Sequence, residues 1–219
     1  MSEDERRSRS NLFSAEGDIP FLIPDQSIEL IAGYEKLGGY DAKTDRYYPF
    51  HGKADRADVL TIGRGHVISG FDKITRRFTG GLTLQQVNDL FAADLQPRAR
   101  QLRKITGFWN INQFASALCG FYNCEAEWLP PSSVLTHHKR GEFQKAAEAM
   151  LAYHVVHDYD SKGQIIRTRS LRGLWRRQGS QALLYLTGNV IVADTTPKEQ
   201  QLFAALATAG VSPTWPVFD

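Results

Sequence analysis

The sequence is poor in cysteine and has no long apolar run. Its two cysteines, Cys119 and Cys124, lie five positions apart in a helix-like apolar segment. Residues at that spacing point to different sides of a helix, so we expect no disulfide between them. They also lack the paired spacing of a zinc framework. No stretch approaches the roughly 18 apolar residues of a membrane-spanning helix, which argues against membrane insertion.

Two further absences concern the N-terminus and the acidic residues. The start, MSEDERRSRSNLF, has no apolar core, so we expect any export to use a route other than a Sec signal peptide. No acid lies between Lys162 and Arg177, although the net charge of the chain is only +2. This basic stretch predicts either a solvated face or attraction to a polyanion. Base-stacking aromatics do not alternate with its arginines, so we expect no nucleic-acid partner.

What the sequence does contain begins with a helix followed by a small sheet. Residues 1–19 are predicted to form a flexible tail. A helix is predicted to begin at Asp25 or Ser27, where a polar side chain can cap it, and to continue to the glycine pair at Gly38. Between residues 40 and 68, short β-prone pieces broken by Asp, Pro and Gly predict a small irregular sheet.

Helices dominate the rest of the predicted structure. Thr83 and Gln86 form a capping box for a long helix that Pro97 could kink. The later helices share apolar periodicity and end at turn residues, covering about 111–124, a pair after Ser132-Ser133 joined at Gly141, 170–187 and 197–209. The predicted fold class is therefore α+β, with a small irregular β lobe and a larger helical lobe. We expect one main domain over 20–188 and a C-terminal extension, 189–219, packed on it.

Glu35 stands near the end of the first predicted helix. The negative end of the helix dipole lies there, and the neighbouring Tyr34, Leu37 and Tyr40 can remove water from the carboxyl group. Both effects disfavour ionisation, which a general acid working near neutral pH requires. A single glutamate of this kind is more often an ordinary surface residue, so the case for a catalytic role depends on the sequence around it.

The segments that follow Glu35 come in an informative order. Two glycines and a β-prone segment with Tyr and Asp precede Thr-Ile-Gly-Arg-Gly-His at 61–66. Further along lie the segments GGLTLQQVNDLFAADL, INQFASALCGFYNC, SSVLTHHKRGEFQKAAEAM and SLRGLWRRQGSQALLYLTG. This order, over roughly 26–188, resembles the T-even phage lysozyme-like muramidases of glycoside hydrolase family 24. The resemblance implies a lysozyme-like fold and cleavage of β-1,4 bonds between N-acetylmuramic acid and N-acetylglucosamine in peptidoglycan, with no metal or other cofactor.

The resemblance also implies roles for single residues. Glu35 would protonate the glycosidic oxygen, and Thr61 would help to hold water near the anomeric carbon, giving inversion of configuration. His66 would be a structural residue paired within the β lobe. The glycines after Thr61 would let the strand turn tightly.

The second carboxylate is not settled by the family spacing. The family's acid falls at the position of Thr44, and the hairpin between it and Thr61 is longer than in the family. Asp45 is our first choice because it is the nearest acid, and Asp41, which directly follows a tyrosine, is the substitute. Asp55 and Asp58 in the longer hairpin stay open.

Arginines of the helix predicted over 170–187 complete the site that the resemblance implies. Arg176 in GLWRR is the closest match to a family arginine that pairs with the catalytic glutamate, with Arg172 and Arg177 as alternatives. Peptidoglycan is anionic, which gives the basic stretch a role.

Two other functions compete with this interpretation. A metal-dependent hydrolase would use His154, His157 and the nearby aspartates, but no third ligand stands at standard spacing. A catalytically impaired lysozyme-like module would only bind peptidoglycan. If the chain is an enzyme, we expect a monomer that acts in the periplasm or cell wall, either as a phage endolysin or as a secreted antibacterial effector. An effector implies a cognate immunity protein.

Overall fold

The computed structural model describes residues 22–35, 37–51, 59–105, 110–160 and 162–212, and it confirms the α+β fold class. The predicted tail, 1–19, lies outside these ranges. The helices of the described part are α1 (Asp25–Tyr34), α2 (Gly70–Ile74), α3 (Leu84–Ile105), α4 (Ile111–Asn123), α5 (Ser133–Lys139), α6 (Phe143–Met150), α7 (Arg172–Thr187) and α8 (Thr196–Thr208). A 3₁₀ turn covers Glu125–Trp128. The strands are β1 (Tyr40–Asp41), β2 (Arg46–Tyr47), β3 (Phe50–His51), β4 (Leu60–Ile62), β5 (His66–Val67), β6 (Val155–Tyr159) and β7 (Ile165–Ser170).

The chain divides into two compact units, with one boundary directly after α1 and another within α3, after Arg100. The unit that contains Glu35–Arg100 carries β1 to β5 and is called the β unit below. The other contains Pro24–Tyr34 and Gln101–Asp219 and is called the helical unit. Helix α3 contributes residues to both, because it continues past Arg100.

The β unit is built on two small antiparallel sheets. Strands β1 and β2 form a hairpin in which Tyr40 lies opposite Tyr47. Strands β3, β4 and β5 form a sheet with β4 in the centre. Its apolar side chains pack in a cluster of Ile62, Ile68 and Phe78, all nearly or completely buried. Helix α3 begins with the predicted capping box, since Thr83 and Gln86 exchange hydrogen bonds.

The first helix is shorter than predicted. It ends at Tyr34 and not at the glycines, so Glu35 lies in a bend just beyond it. The cause is visible at Gly38, whose backbone pairs with Gly63 and whose N–H donates to the Gly63 carbonyl at 3.3 Å. A segment that pairs with the β unit cannot also continue the hydrogen-bond ladder of a helix.

The helical unit is organised around α4. This helix begins with a capping box of Asn110 and Gln113, and residues 113–121 are all buried. A helix that is buried on all sides over such a length is typical of a domain centre. It packs against α7, where the Ser116 hydroxyl donates to the Gln181 carbonyl at 2.8 Å. As predicted, α7 ends at Gly188, which adopts the left-handed conformation with φ 81°.

The hairpin of β6 and β7 was not predicted. Val156 lies opposite Arg169 in it, and a register shift follows at Asp158 and Tyr159. Its strands lack the alternation of apolar and polar residues that marks a half-buried sheet, because the first four residues of β7, beginning at Ile165, are all exposed. Short helix α2 was also missed.

The C-terminal extension packs on α7 through α8. Trp175 of α7 stacks on Phe203 of α8, with ring centroids 3.9 Å apart and planes 16° apart. The segment before α8 reaches α1: the N–H of Ala193 donates to the Tyr34 hydroxyl at 3.1 Å. That hydroxyl also lies 2.8 Å from the hydroxyl oxygen of Ser180. Among the described helices, none is both long enough and apolar enough to cross a bilayer.

Candidate active site

Glu35 is half-buried and is fixed through its backbone to the turn between β4 and β5. Its carbonyl oxygen accepts a hydrogen bond from Nη1 of Arg64 at 3.3 Å. Three residues further on, the Gly38 N–H donates to the carbonyl of Gly63 at the same distance. The segment that carries Glu35 is therefore held at two points by the turn that follows Thr61.

Thr61 lies in the centre of the three-stranded sheet. It is 6% exposed, and its hydroxyl donates to the carbonyl of Phe50 at 3.4 Å. Since a hydroxyl has one donor and two acceptor positions, this bond leaves lone pairs that can accept a hydrogen bond from water. The structure places Thr61 and Glu35 in the same unit.

The glycines of the Thr-Ile-Gly-Arg-Gly-His motif are needed where the turn meets α3. Gly63 has φ 64°, and a Cβ atom built on it would lie 2.7 Å from Cγ1 of Val87. Any larger residue would therefore strain the backbone and collide with α3. The glycines keep Arg64 close to both α3 and Glu35.

The two candidate aspartates occupy different places in the β1–β2 hairpin. Asp41 builds the turn: its carboxylate accepts from the N–H of Lys43 and from the hydroxyl of Thr44, both at 3.0 Å. Asp45 is exposed, with φ 51°, and its Oδ1 accepts from the Tyr40 hydroxyl at 3.0 Å. That hydrogen bond is the largest cause that raises the pKa of Tyr40. Both oxygens of Asp41 thus serve the turn, whereas Asp45 uses one for Tyr40.

Asp55 and Asp58, the other aspartates left open, fall within 52–58 and lie outside the described residues. The part of the hairpin that is described ends at His51, whose ring Nδ1 lies 3.0 Å from the carbonyl oxygen of Val59. The described ends of the longer hairpin are therefore held together at its base.

His66 lies between two aspartates within the β unit. Its Nδ1 is 3.0 Å from both carboxylate oxygens of Asp94, and its Nε2 is 3.8 Å from Oδ2 of Asp72. The edge of its ring packs on Phe78, with centroids 5.6 Å apart. The pKa of Asp72 is lowered, first by a hydrogen bond from the Ser69 hydroxyl and to a smaller extent by His66. These contacts join β5 to α2 and α3.

Arg176 contacts an acid that the sequence did not suggest. Both Arg176 and Arg172 donate to the carboxylate of Glu199 in α8, and the Arg172 bonds measure 3.1 and 2.9 Å. Burial would raise the pKa of Glu199, but the two arginines outweigh it and lower the pKa. Arg177 is instead buried, with its guanidinium carbon 5.8 Å from the ring centroid of Tyr34. Arg176, the arginine predicted to pair with Glu35, thus forms an ion pair with Glu199 within the helical unit.

Sequence reasoning gave no role to Glu127, which is completely buried. Its Oε2 accepts from Nε2 of Gln178 at 3.4 Å, while Oε1 has no partner among the described residues. Burial raises the pKa of Glu127 to about 8, although Gln178 and Arg177 act in the opposite direction. In the sequence it is one of two glutamates in CEAEW, and no pattern distinguishes it from a surface acid.

Within the described ranges, no group of three or more His, Cys, Asp or Glu side chains is arranged to hold a metal ion. His157, considered above as a metal ligand, instead has its Nδ1 2.9 Å from the hydroxyl of Thr168 across the β6–β7 hairpin. Cys119 and Cys124 are both free thiols.

Comparisons with known proteins agree with this fold. A model of the Phage lysozyme family matches residues 49–180, a range that includes Thr61, His66 and Arg176 but begins after Glu35. The muramidase domain of SpmX from Asticaccaulis excentricus is 24% identical with a TM-score of 0.56, and the match covers 76% of this chain and 98% of that one. An endolysin from Escherichia coli O157:H7 phage FAHEc1 is 20% identical with a TM-score of 0.58, over 81% and 99% of the two chains. A comparison with curated protein sequences found no match.

The two solved structures support the lysozyme-like fold, and the family match extends over more than half of the sequence. The predicted resemblance is confirmed. The chain belongs to the phage lysozyme family and is a glycoside hydrolase that acts on peptidoglycan.

Proposed function

We propose that the enzyme cleaves the β-1,4 bond between N-acetylmuramic acid and N-acetylglucosamine, with Glu35 as the general acid. The observation that carries this proposal is the attachment of the Glu35 segment to the turn after Thr61, through Arg64 and Gly38. A general acid must be held in one place relative to the glycosidic oxygen, and these bonds hold the backbone of Glu35.

Asp45 is proposed to place the attacking water together with Thr61. Among the described residues its exposed carboxylate accepts a hydrogen bond from Tyr40 through Oδ1, whereas both oxygens of Asp41 stabilise the turn. Thr61 offers lone pairs to the same water, since its proton is donated to Phe50. Attack by water on the face opposite the acid would invert the anomeric configuration.

The first experiment compares Glu35→Gln with Glu29→Gln. Glu29 is an exposed glutamate of α1, so its substitution controls for the loss of one negative charge. Turnover of purified peptidoglycan should fall by about 10²–10⁴-fold in Glu35→Gln, the usual contribution of a general acid, and stay near wild type in Glu29→Gln. Thermal unfolding of both variants should resemble wild type.

The outcomes separate the proposed mechanism from its alternatives. Equal turnover of the Glu35→Gln and Glu29→Gln variants would remove Glu35 from the mechanism. A wild-type protein that sediments with peptidoglycan but releases no reducing ends would instead be a binding module. NMR of the first product distinguishes inversion from retention, since inversion of the β-linkage gives the α-anomer.

The second experiment compares Asp45→Asn with Asp41→Asn at saturating concentrations of a defined glycan strand. We expect Asp45→Asn to lose turnover by about a hundredfold, because the amide cannot accept a proton from water. Asp41→Asn should instead lower thermal stability, since it loses the acceptor for the Thr44 hydroxyl. The reverse pattern would transfer the role to Asp41. Retained turnover in both variants would leave Thr61, Asp55 or Asp58 to hold the water.

The place of action follows from the substrate. We propose that the enzyme acts in the periplasm or cell wall, delivered either as an endolysin or as an injected effector that an immunity protein neutralises in the producing cell. A holin gene beside its own gene would identify the endolysin. Adjacent secretion and immunity genes would identify the effector, and co-purification with the immunity protein would verify the partner.

A further inference from the structure

Arg64, within the Thr-Ile-Gly-Arg-Gly-His motif, has a side chain that donates a hydrogen bond to the backbone carbonyl of Glu35. We propose that Arg64 is a positioning residue, which holds the Glu35 peptide in place relative to Thr61. This inference rests on the proposed role of Glu35 as the general acid. It gives a role to a residue that is neither the proposed acid, nor a residue proposed to hold water, nor a glycine of the turn.

The need for such a residue comes from the end of α1. The last carbonyl groups of a helix have no partner within the helix and are satisfied by side chains, water or a changed turn. Glu35 is the residue directly after α1, so its carbonyl oxygen lies beyond the residues that form the helix. The Nη1 of Arg64 binds the Glu35 carbonyl at this point, 3.3 Å away.

Arg64 is itself held by its surroundings. Its guanidinium carbon lies 6.0 Å from the ring centroid of Phe91, a residue of α3 that is only 3% exposed. This distance is at the outer limit of a cation–π contact. Its backbone follows Gly63, which packs against Val87 of the same helix. The side chain therefore transmits the position of α3 and of the turn to Glu35.

The position of Arg64 in the chain connects it to the rest of the site. Thr61 is in β4 and Arg64 is in the turn directly after that strand. A bond from Arg64 to Glu35 therefore fixes the Glu35 carbonyl against the turn that directly follows the strand of Thr61. Small errors in the placement of reacting groups are costly, since a displacement of about 1 Å can lower the rate a hundredfold.

The chemistry of arginine suits this task. Its planar guanidinium offers five N–H donors in a rigid fork, so that one donor can bind a carbonyl while the plane rests on an aromatic ring. Lysine carries the same charge on a more flexible stem, and methionine fills similar space without a donor. The series Arg, Lys, Met at position 64 therefore separates donor geometry from packing.

The test measures kcat and KM of Arg64→Met, Arg64→Lys and Arg77→Met on soluble glycan strands. Arg77 is the matched control, because its guanidinium carbon also lies over an aromatic ring, 5.1 Å from the centroid of Phe78, and it too belongs to the β unit. We expect kcat of Arg64→Met to fall between about tenfold and a hundredfold with KM within about threefold of wild type. Arg64→Lys should recover part of the loss, and Arg77→Met should keep the wild-type kcat.

A double variant shows whether Arg64 acts through Glu35. If it does, Arg64→Met should cause no further loss in a Glu35→Gln background. An equal loss in both backgrounds would overturn the inference, because it would indicate a general structural effect. Unchanged kcat in Arg64→Met, or equal losses in the Lys and Met variants, would also overturn it. Should Arg64→Met fail to fold, Arg64→Gln takes its place under the same criteria.

The same series distinguishes failure of the inference from failure of the proposed function. Retained turnover in Glu35→Gln would remove the general acid itself. Loss of turnover in Glu35→Gln together with full kcat in Arg64→Met would leave the proposed function intact and remove only the positioning role of Arg64.

Discussion

Replacing the buried Glu127 with glutamine should make the protein more stable at neutral and alkaline pH. The pKa of Glu127 is raised from an ordinary 4.5 to about 8, primarily by burial. Each pH unit between these values corresponds to about 1.4 kcal/mol, so ionising the folded protein costs up to about 5 kcal/mol above pH 8. At pH 7 the expected cost is about 3 kcal/mol.

The direction follows from proton binding. Between the two pKa values the folded state keeps a proton on Glu127 that the unfolded state has released, so the free energy of unfolding falls as the pH rises. The stability that wild type owes to the protonated Glu127 is fully present below about pH 4.5 and is lost as the pH rises through about 8. A glutamine has no such proton to lose, and its amide N–H can replace the O–H of the protonated acid.

The environment of Glu127 explains why the neutral form is preferred. Its Oε2 and the Oε1 of Gln181 both lie against Gly120, at 2.8 and 2.9 Å from a Cβ atom built there. The Oε1 atoms of Glu127 and Gln181 have no hydrogen-bond partner among the described residues. The Nε1 of Trp128 lies 2.7 Å from the same built Cβ atom, so donors are present and burial is the main cause of the preference for the neutral acid. The proton of a neutral Glu127 adds one further donor, which a carboxylate lacks.

Urea denaturation of wild type, Glu127→Gln and the surface control Glu29→Gln at pH 5, 6, 7 and 8 would test this reasoning. The difference between Glu127→Gln and wild type should increase with every step, while Glu29→Gln follows wild type. A difference that does not change with pH would refute the raised pKa. A difference that shrinks as the pH rises would show that the folded protein prefers the ionised form.

Two further predictions concern the active site and the end of α1. Thr61→Glu should place a carboxylate near the anomeric carbon and trap a covalent sugar adduct, because a nearby nucleophile converts inversion towards retention; intact mass after incubation with glycan strands detects it, and binding without an adduct would count against the placement of Thr61. Tyr34→Phe should lower the free energy of unfolding by about 1–3 kcal/mol, since its hydroxyl bonds both Ser180 and Ala193. Tyr185→Phe, which loses one bond to a buried histidine, should cost less in the same urea titration, and an equal or larger loss would contradict this order.

The sequence-based predictions were most accurate for helices in which apolar residues recur at a regular spacing. Apolar periodicity located α4 and α7, and Gly188 marked the end of the latter because a left-handed residue there favours glycine. The family resemblance rested on five segments in the right order, of which the motif around Thr61 is one, and each of them is visible in a short stretch of sequence. Helix α1 was predicted to be too long. Its end depends on the pairing of Gly38 with Gly63, two residues that are distant in sequence.

The parts that sequence reasoning missed depend on contacts between distant residues. The bond from Arg64 ends on a backbone carbonyl, so no residue type at position 35 signals it. The partner of Arg176 is Glu199, which lies beyond the family match. Glu127 reads as a surface acid until its burial is known. The choice between Asp41 and Asp45 stays a prediction that the paired asparagine variants test.

The contacts of α8 show that the packed structure of this chain extends beyond the residues that the family model matches. The family match ends at residue 180, whereas the carboxylate that binds Arg172 and Arg176 comes from Glu199. A fragment cut at the end of α7 would contain every family motif, yet it would uncover Trp175 and leave two neighbouring guanidinium groups to repel each other. Any transfer of this hydrolase into a fusion protein should therefore keep α8, which continues to Thr208.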